Sequence, residues 1–578
     1  MTERDDAPVS QTPDISATEP QPAPLSRRRF LGGVGTVAAA ALAGVAPAQA
    51  RPGADLDQAV EEGRRHGQVD PRRQEMYDLR VKAAQYHRDL PAIPHPVNGD
   101  ENRYESRIGN YSKGLPHDAF GEVDPDAYDS LLKAMRSTNP DDYEAIQSSG
   151  GRRLVNPQAG LAFDLEGYDA QYMAPPAAPA LASAEAAGEM VELYWMALLR
   201  DVPLEDYDTD PDVAEACADL NKLSVFKGAR QHGVVTPASL FRDPLTGCLK
   251  GAYISQFLWM DTPFGSESVD RRIHLRLPGS DYLTDYDEWL QSQNGFSPTF
   301  ANHDPIRRYI QKTRDLTEWA HNDVLFQAYM DAALILGVPK DPFDQSGSGL
   351  TAPSNPGNPY RKSKNQIGFA TFGDPYRKTV MCEVATRALK ATWYQKWQVH
   401  RRLRPEAYAG LVHHQITSNR YPNVLHPDVL NSKAVERIFS KFGTYLLPQA
   451  FPEGCPLHPS YTAGHATVAG ACVTVLKALY DESYVIPIPV LPNADGLTLS
   501  NNAYQGPDLT VGGELNKLAS NIATGRNHGG VHWRSDARES LKLGEAIAIS
   551  ILRDQKAFYS ERFDGYTFTA FDGTRVTV

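Results

Sequence analysis

The hydrophobic pattern of this chain breaks into helical stretches separated by Pro/Gly-rich connections. Asp70-Pro71 opens a helix running through Leu90, and Asp124-Pro125 opens a short one to Arg136. Aspartate can cap the first free N–H groups, and proline at the first helical position gives up no intrahelical bond. Ser183 to Leu199, rich in Ala, Glu and Leu, and Asp210 to Leu223, with a third Asp-Pro start, are predicted helical. His303-Asp304-Pro305 predicts a long helical stretch to Leu336, split near Trp319 to Asn322. Pro375 to Arg404 reads as one long helix stopped by Pro405. Asn431–Leu446, Gly464–Tyr480 (with its apolar run from Ala466), Gly513–Ala523 and Asp536–Arg562 complete the helices. Ser239 to Trp259 mixes aromatic and β-branched residues with Gly and carries no clean assignment. Pro91–Gly121, Pro339–Pro375 and Asp481–Gly512 are irregular, and a connection as long as Asp481–Gly512 in a compact domain usually serves function, such as a lid or a funnel wall. Tyr566 to Val578, with Asp572-Gly573 in its middle, predicts a terminal β-hairpin. The fold class is mainly α with small β additions.

With 578 residues, 41% hydrophobic and 22% charged, the chain is an ordinary globular protein able to bury a large core. Its net charge of -13 argues against a nucleic-acid binder, so any anion site must be a local cluster of Lys and Arg. Five cysteines are too few for a disulfide scaffold, and none is spaced as a zinc knuckle. Residues 1–50 read as an address. Ser26-Arg27-Arg28-Arg29-Phe30-Leu31 is a twin-arginine pattern, followed by a soft Gly/Ala/Val run and the Ala48-Gln49-Ala50 cleavage signal. The alternative is a chance basic cluster before an Ala-rich linker. Gly33, Gly35 and Ala38 loosely match a dinucleotide loop, but no strand precedes them. The expectation is export by the twin-arginine route to a periplasmic, extracellular or cell-surface location. No other run approaches the ~18 apolar residues of a membrane span, so no stable membrane insertion is expected. The organisation is then a signal over 1–50, an N-terminal helical region over 51–239 and a catalytic helical region over 240–578.

Three stretches carry candidate chemistry. In the first, Trp393, Lys396, His400 and Arg404 step by three, four and four, and share one stripe if the segment is helical. Taken alone, that stripe is more readily a solvated basic face. In the second, Pro459-Ser460-Tyr461-Thr462-Ala463-Gly464-His465 opens an apolar helix with His458 just before it. A glycine and a histidine at a helix start bring backbone N–H groups, the positive helix end and a titratable ring together, although single histidines are more often structural. In the third, Arg526 and His532 flank Gly529-Gly530, which break the helix, and Asp536 lies four residues beyond His532. Asp536 could orient the His532 ring, or cap the last helix with Glu539, and the two roles compete for one carboxylate. Together the stretches make a cradle of cations, a helix-start N–H and two histidines for a tetrahedral oxyanion.

In this order the blocks resemble the superfamily shared by vanadium-dependent haloperoxidases and type 2 acid phosphatases. The algal-type bromoperoxidase branch is the nearer likeness. Its Trp-Tyr-Gln-Lys-Trp…Arg-Pro-Glu-Ala block is similar to Trp393–Trp397 with Arg404–Ala407, seven residues separating Lys396 from Arg404. His458–Tyr461, Gly525–His532 and Tyr253–Leu258 are also family-like, and the likeness covers Leu240 to Arg562. The resemblance implies two four-helix bundles, a vanadate cofactor, and oxidation of bromide (with chloride or iodide as further candidates) by hydrogen peroxide to a hypohalite that halogenates small organic acceptors. It implies that Lys396, Arg404, Arg526 and the Gly464 N–H hold vanadate, that His532 ligates the metal and that His465 is the acid–base group. Trp393 and His458 would line the halide pocket, with Asp536 behind His532, in a homo-oligomer. One position departs from the pattern: Ala463 stands where the family usually has Ser. A secreted acid phosphatase working through a phosphohistidine is the alternative enzyme. A non-catalytic anion-binding protein is the other alternative.

Overall fold

Four helices build the centre of the protein. The helix Gly464–Leu479 packs along Asp374–Trp393, Val511–His528 and Arg534–Lys556. Every residue of the Gly464 helix is buried except His465, and the Val511 helix is buried along its whole length. A helix of small and apolar residues on all sides belongs at the middle of a bundle, and the Gly464 helix (GHATVAGACVTVLKAL) is one. Two glycines let it meet its neighbour backbone to backbone. A Cβ on Gly544 would stand 1.9 Å from the Thr467 carbonyl oxygen, and one on Gly470 would stand 2.1 Å from that of Leu541.

The computed structural model describes residues 71–137, 139–297, 302–337, 350–500 and 504–578. The twin-arginine segment and its cleavage signal lie outside them, as does part of the Pro339–Pro375 connection. Contacts divide the chain after Leu90. In the first part, the helix Pro71–Arg88 has no buried residue. In the second, the main hydrophobic core draws on residues from Ala170 to Val578. A smaller core gathers Tyr111, Tyr128 and Leu131 around Trp397. The mainly helical class is as expected. Among the described residues the strands form four two-stranded antiparallel ribbons, the last being the C-terminal hairpin Thr567–Thr569 with Arg575–Thr577.

The Asp-Pro starts at Pro125 and Pro211 and the Ser183 start hold, with Asp124, Asp210 and Ser183 capping through their side chains. The Asp210 helix ends at Leu220, short of Leu223. The Asn431 helix runs only from Lys433 to Phe442, where Gly443 turns left-handed at φ 72°. The last two helices are Val511–His528 and Arg534–Lys556. Within Ser239–Trp259 only Gln256–Trp259 is helical.

Two expectations fail. His303 starts no helix, because His303–Arg308 is a strand paired with Ile273–Arg276. Asp304 does accept the Ile306 N–H at 2.8 Å, as a cap would, but it also holds Arg308 at 3.0 Å and the backbone goes to the ribbon. The helix begins at Thr313, where Asp315 takes the N–H groups of Gln311 and Lys312. The break near Trp319 is where expected, and Gln327–Leu336 follows. Nor is Pro375–Arg404 one helix. The α-helix ends at Trp393, widens to a π-helix over Tyr394–His400, and breaks at Arg401, which has φ 40°. Pro405 is then the first residue of a new helix, Pro405–Ser418, with Arg404 at its N-cap. Proline fits there because its missing N–H would have had no intrahelical partner.

Gly544→Ala should force the Gly464 and Arg534 helices apart. We expect it to destabilise the protein by about 1–3 kcal/mol, the usual range for overpacking, read as a lowered unfolding midpoint in denaturant.

Candidate active site

The break after His400 decides which side chains of the basic segment reach the site. Lys396, on the π-helix, is fully buried and donates to the carbonyls of Pro459 at 2.6 Å and Ser460 at 2.8 Å. Arg404 arrives from the N-cap of the next helix. It donates Nε to the His458 carbonyl at 3.0 Å, Nη1 to the Val531 carbonyl at 2.6 Å and to His532 Nε2 at 3.0 Å, and Nη2 to His458 Nδ1 at 2.9 Å. His400 goes elsewhere: it is buried with its ring edge-on to Tyr461 at 4.7 Å. The regular stripe therefore does not exist. Lys396 and Arg404 meet through two different elements. Arg526, from the end of the Val511 helix, completes the cations. Its Nη1 donates to the Ala320 carbonyl at 3.1 Å, and its Nε is buried without a hydrogen-bond partner.

An arginine can only donate, so its contacts settle two ring tautomers. His532 accepts from Arg404 at Nε2, and its Nδ1–H points to Asp536 Oδ2 at 2.8 Å. Nε2 thus carries a lone pair, which here accepts from Arg404. Burial first, then Arg404, Lys396 and Arg526, hold the His532 pKa well below its ordinary value, so the ring is neutral. His458 likewise accepts at Nδ1 and is kept neutral by burial and by Lys396 and Arg404.

Asp536 orients the His532 ring, and it caps the last helix from the third helical position, with Trp533 rather than Asp536 at the N-cap. Oδ2 accepts from His532, from Ser460 Oγ and from the Trp533 N–H at 3.2 Å, which caps the last helix. Oδ1 accepts from Arg402 at 2.8 Å, and Arg402 bridges on to Glu189 at 3.0 Å. Glu539 is no partner in this, being engaged by Arg538 and Lys542.

His465 is the half-exposed residue of its helix, with a side chain 21% accessible, and its Nε2 meets Asp323 Oδ1 at 3.2 Å. Trp393, the last residue of its α-helix, places its ring 4.9 Å from that of His458. A Cβ on Gly464 would lie 3.2 Å from the Trp393 ring. Of the residues singled out by sequence, the nine given a site role thus converge, directly or through one neighbour, and His400 does not. Asp323, Arg402, Ser460 and Glu189 were not singled out for a role. Arg402 and Ser460 sit inside the motifs, and only the break at Arg401 and the folding of the Pro-Ser turn onto Asp536 show what they touch. Asp323 and Glu189 are far away in sequence and give no local signal.

The chain is 36% identical to a vanadium-dependent bromoperoxidase of Corallina officinalis over 87% of this chain and 98% of that one. It is 34% identical to that of Ascophyllum nodosum over 86% and 91%. The chain belongs to the vanadium-dependent bromoperoxidase family. A solved homohexameric bromoperoxidase from Ascophyllum nodosum superposes with a TM-score of 0.81 at 32% identity, covering 87% of this chain and 90% of that one. The family described as the VCPO second helical-bundle domain matches residues 379–561. The likeness extends beyond the Leu240–Arg562 span read from motifs.

The family name implies vanadate, a tetrahedral oxyanion, and the donor set fits one. Burial and then Arg404 push the Lys396 ammonium well below its ordinary pKa. Burial, with Arg404 adding to it, brings Arg526 down to about 10. Three buried cations that repel one another, one with an unpartnered Nε, are short of an anion. The Gly464 helix begins beside them without a side-chain cap, because its N-cap residue is Ala463. Its first N–H groups have no intrahelical partners.

Asp536→Asn removes the acceptor that fixes the His532 tautomer and leaves Arg402 one carboxylate short. We expect vanadate affinity to fall about 10–100-fold, as for other residues that orient a metal-binding histidine, measured as the midpoint of an orthovanadate titration.

Proposed function

We propose that the protein oxidises bromide with hydrogen peroxide, using bound vanadate, and releases hypobromite that brominates small organic acceptors. The observation that carries this reading is the buried His532, whose Nδ1–H is held by Asp536 and whose Nε2 accepts from Arg404. In the proposal these three cations and the Gly464 N–H hold the vanadate oxygens by charge-assisted hydrogen bonds, and His532 ligates the metal. When bound, vanadate supplies a Lewis acid that activates peroxide without changing its own oxidation state.

The rest is the work of side chains. His465 gives its Nε2–H to Asp323, which leaves Nδ1 to take the proton of an incoming peroxide. Lys396 would donate to an oxygen of the bound anion and draw electron density from it. Trp393 and the neutral His458 form the wall on which bromide rests, since a neutral imidazole and an indole edge accept a weakly hydrated anion. Asp536, held by Arg402 and Ser460, keeps the His532 ring from turning. The relatives matched along almost their full length are bromoperoxidases, so the phosphatase alternative is not favoured.

The twin-arginine segment supports export, with maturation after Ala50 and a periplasmic, extracellular or cell-surface location. No described helix is long and apolar enough to cross a membrane. A homo-oligomer is proposed on the strength of the homohexameric neighbour.

The test is bromide- and peroxide-dependent halogenation of a dione reporter by phosphate-free protein, with and without orthovanadate, beside p-nitrophenyl phosphate hydrolysis. We expect vanadate-dependent bromination that His532→Ala abolishes. Vanadate-inhibited hydrolysis with no bromination would overturn the proposal. Ala463→Ser should add one hydrogen bond to a charged group, worth about 1.5–3 kcal/mol, and tighten the vanadate midpoint about ten- to hundredfold. An unchanged midpoint would refute it.

A further inference from the structure

Trp393 and His458, the proposed halide wall, stand on two separate elements, and the segment Arg152 to Leu161 is bonded to both. Arg152 Nη2 donates to the Glu453 carbonyl at 2.9 Å, in the chain that leads to His458. The Val155 N–H donates to the Leu457 carbonyl at 2.9 Å, one residue before His458. The Val155 carbonyl in turn accepts the Trp393 indole N–H at 3.0 Å. Asn156 then turns the chain at φ 41°, a left-handed conformation that asparagine tolerates better than most residues. Gly160 lies against the backbone where the α-helix widens, since a Cβ there would stand 2.3 Å from the Tyr394 nitrogen. Leu154 and Leu161 pack on the smaller core around Trp397, as Trp393 does.

These contacts hold the indole from several sides. Its N–H is taken by Val155, which leaves it no donor for an anion. Its ring lies 4.9 Å from the His458 ring and 5.8 Å from Lys396 Nζ, and a Cβ on Gly464 would stand 3.2 Å from it. Covalent geometry fixes the N–H and C=O of one residue relative to each other, apart from its two soft dihedrals. A residue bonded through both groups therefore ties its two partners at a set spacing. Val155 is such a residue, and its partners belong to the two halves of the wall.

We propose that Val155 is a positioning residue for halide binding, its backbone setting the spacing of Trp393 and His458. The inference rests on the proposed bromide oxidation, which places bromide on that wall. Val155 acts through Trp393 and Leu457, and its segment lies outside the three blocks that form the cradle. Loosening the segment should weaken bromide binding and leave vanadate binding and the chemical step as they are. Such a change raises KM at constant kcat.

Two variants of the full chain test it, the second serving should the first not fold. Gly160→Ala pushes the segment off the Tyr394 backbone, and Val155→Pro deletes the N–H that holds Leu457. The indole 15N–1H NMR signals of the seven tryptophans read the wall without turnover, and the signal missing from Trp393→Phe is the one to follow. Bromide should shift that signal to saturation in the unaltered protein. Either variant should raise the half-saturating bromide, and the KM for bromide in bromination, about two- to tenfold, the effect of one lost hydrogen bond. kcat and the orthovanadate midpoint should stay within about twofold of the unaltered values. A saturating shift that responds to the variants would uphold the role of Val155 even if no bromination were seen, and the bromoperoxidase reading would then fall by itself. No bromide-dependent shift, half-saturation indifferent to both variants, or vanadate binding lost in step with bromide binding would overturn the proposal.

Discussion

Three like charges buried within reach of one another are the constraint on which this structure turns. Lys396, Arg404 and Arg526 have been taken out of water, and burial lowers the pKa of each, with Arg404 adding to the lowering at Lys396 and Arg526. Such a cluster persists only if the surrounding chain offsets the cost of desolvation and repulsion. Here the offset comes from backbone oxygens. The carbonyls of Ala320, His458, Pro459, Ser460 and Val531 all point at the cations. Irregular backbone, rather than helix, is what can aim carbonyls inward, so the Pro-Ser turn and the Gly529-Gly530 break are part of the charge balance. The remaining imbalance is a place for an anion.

The carboxylates are kept at the edge of this cradle. Asp536 is tied to Arg402, and Arg402 to Glu189, so its charge is shared before it reaches His532. Asp323 stands behind His465, with its second oxygen unpartnered among the described residues. Each of these two rings thus has a carboxylate at one nitrogen, and the other nitrogen of His532 accepts from Arg404. The two rings differ in exposure. His532 is enclosed and serves as a fixed neutral donor, whereas His465 reaches solvent and can exchange protons with it. The four-helix core makes this placement rigid, because the glycines at 470 and 544 bring two backbones into contact and leave the helix start at Gly464 no freedom to drift.

The Ala463 position shows the same economy from the opposite direction. A serine there would be an ordinary helix cap. Alanine leaves the helix start uncapped and packs with Ala466, Ala523 and Ala537. The first N–H groups remain for an external acceptor, and one hydroxyl contact is lost.

By itself the sequence determined the helical class, the motif residues and their chemistry. Those depend on local spacing and residue type: caps at Asp124, Ser183 and Asp210, a glycine before His465, an aspartate four residues after His532. What it left to the tertiary structure is how the motif residues face one another. Periodicity placed Trp393, Lys396, His400 and Arg404 on one helix, but a π-turn and a left-handed Arg401 send His400 away and begin a new helix at Pro405. Local signals do not show that break, because proline both stops and starts helices. The Asp-Pro at 304 misled in the same manner, since a ribbon partner some thirty residues earlier outbid the cap. Asp323 and Glu189 were invisible for a simpler reason. Their partners lie far away in the chain, and only the packed core brings them within hydrogen-bond distance.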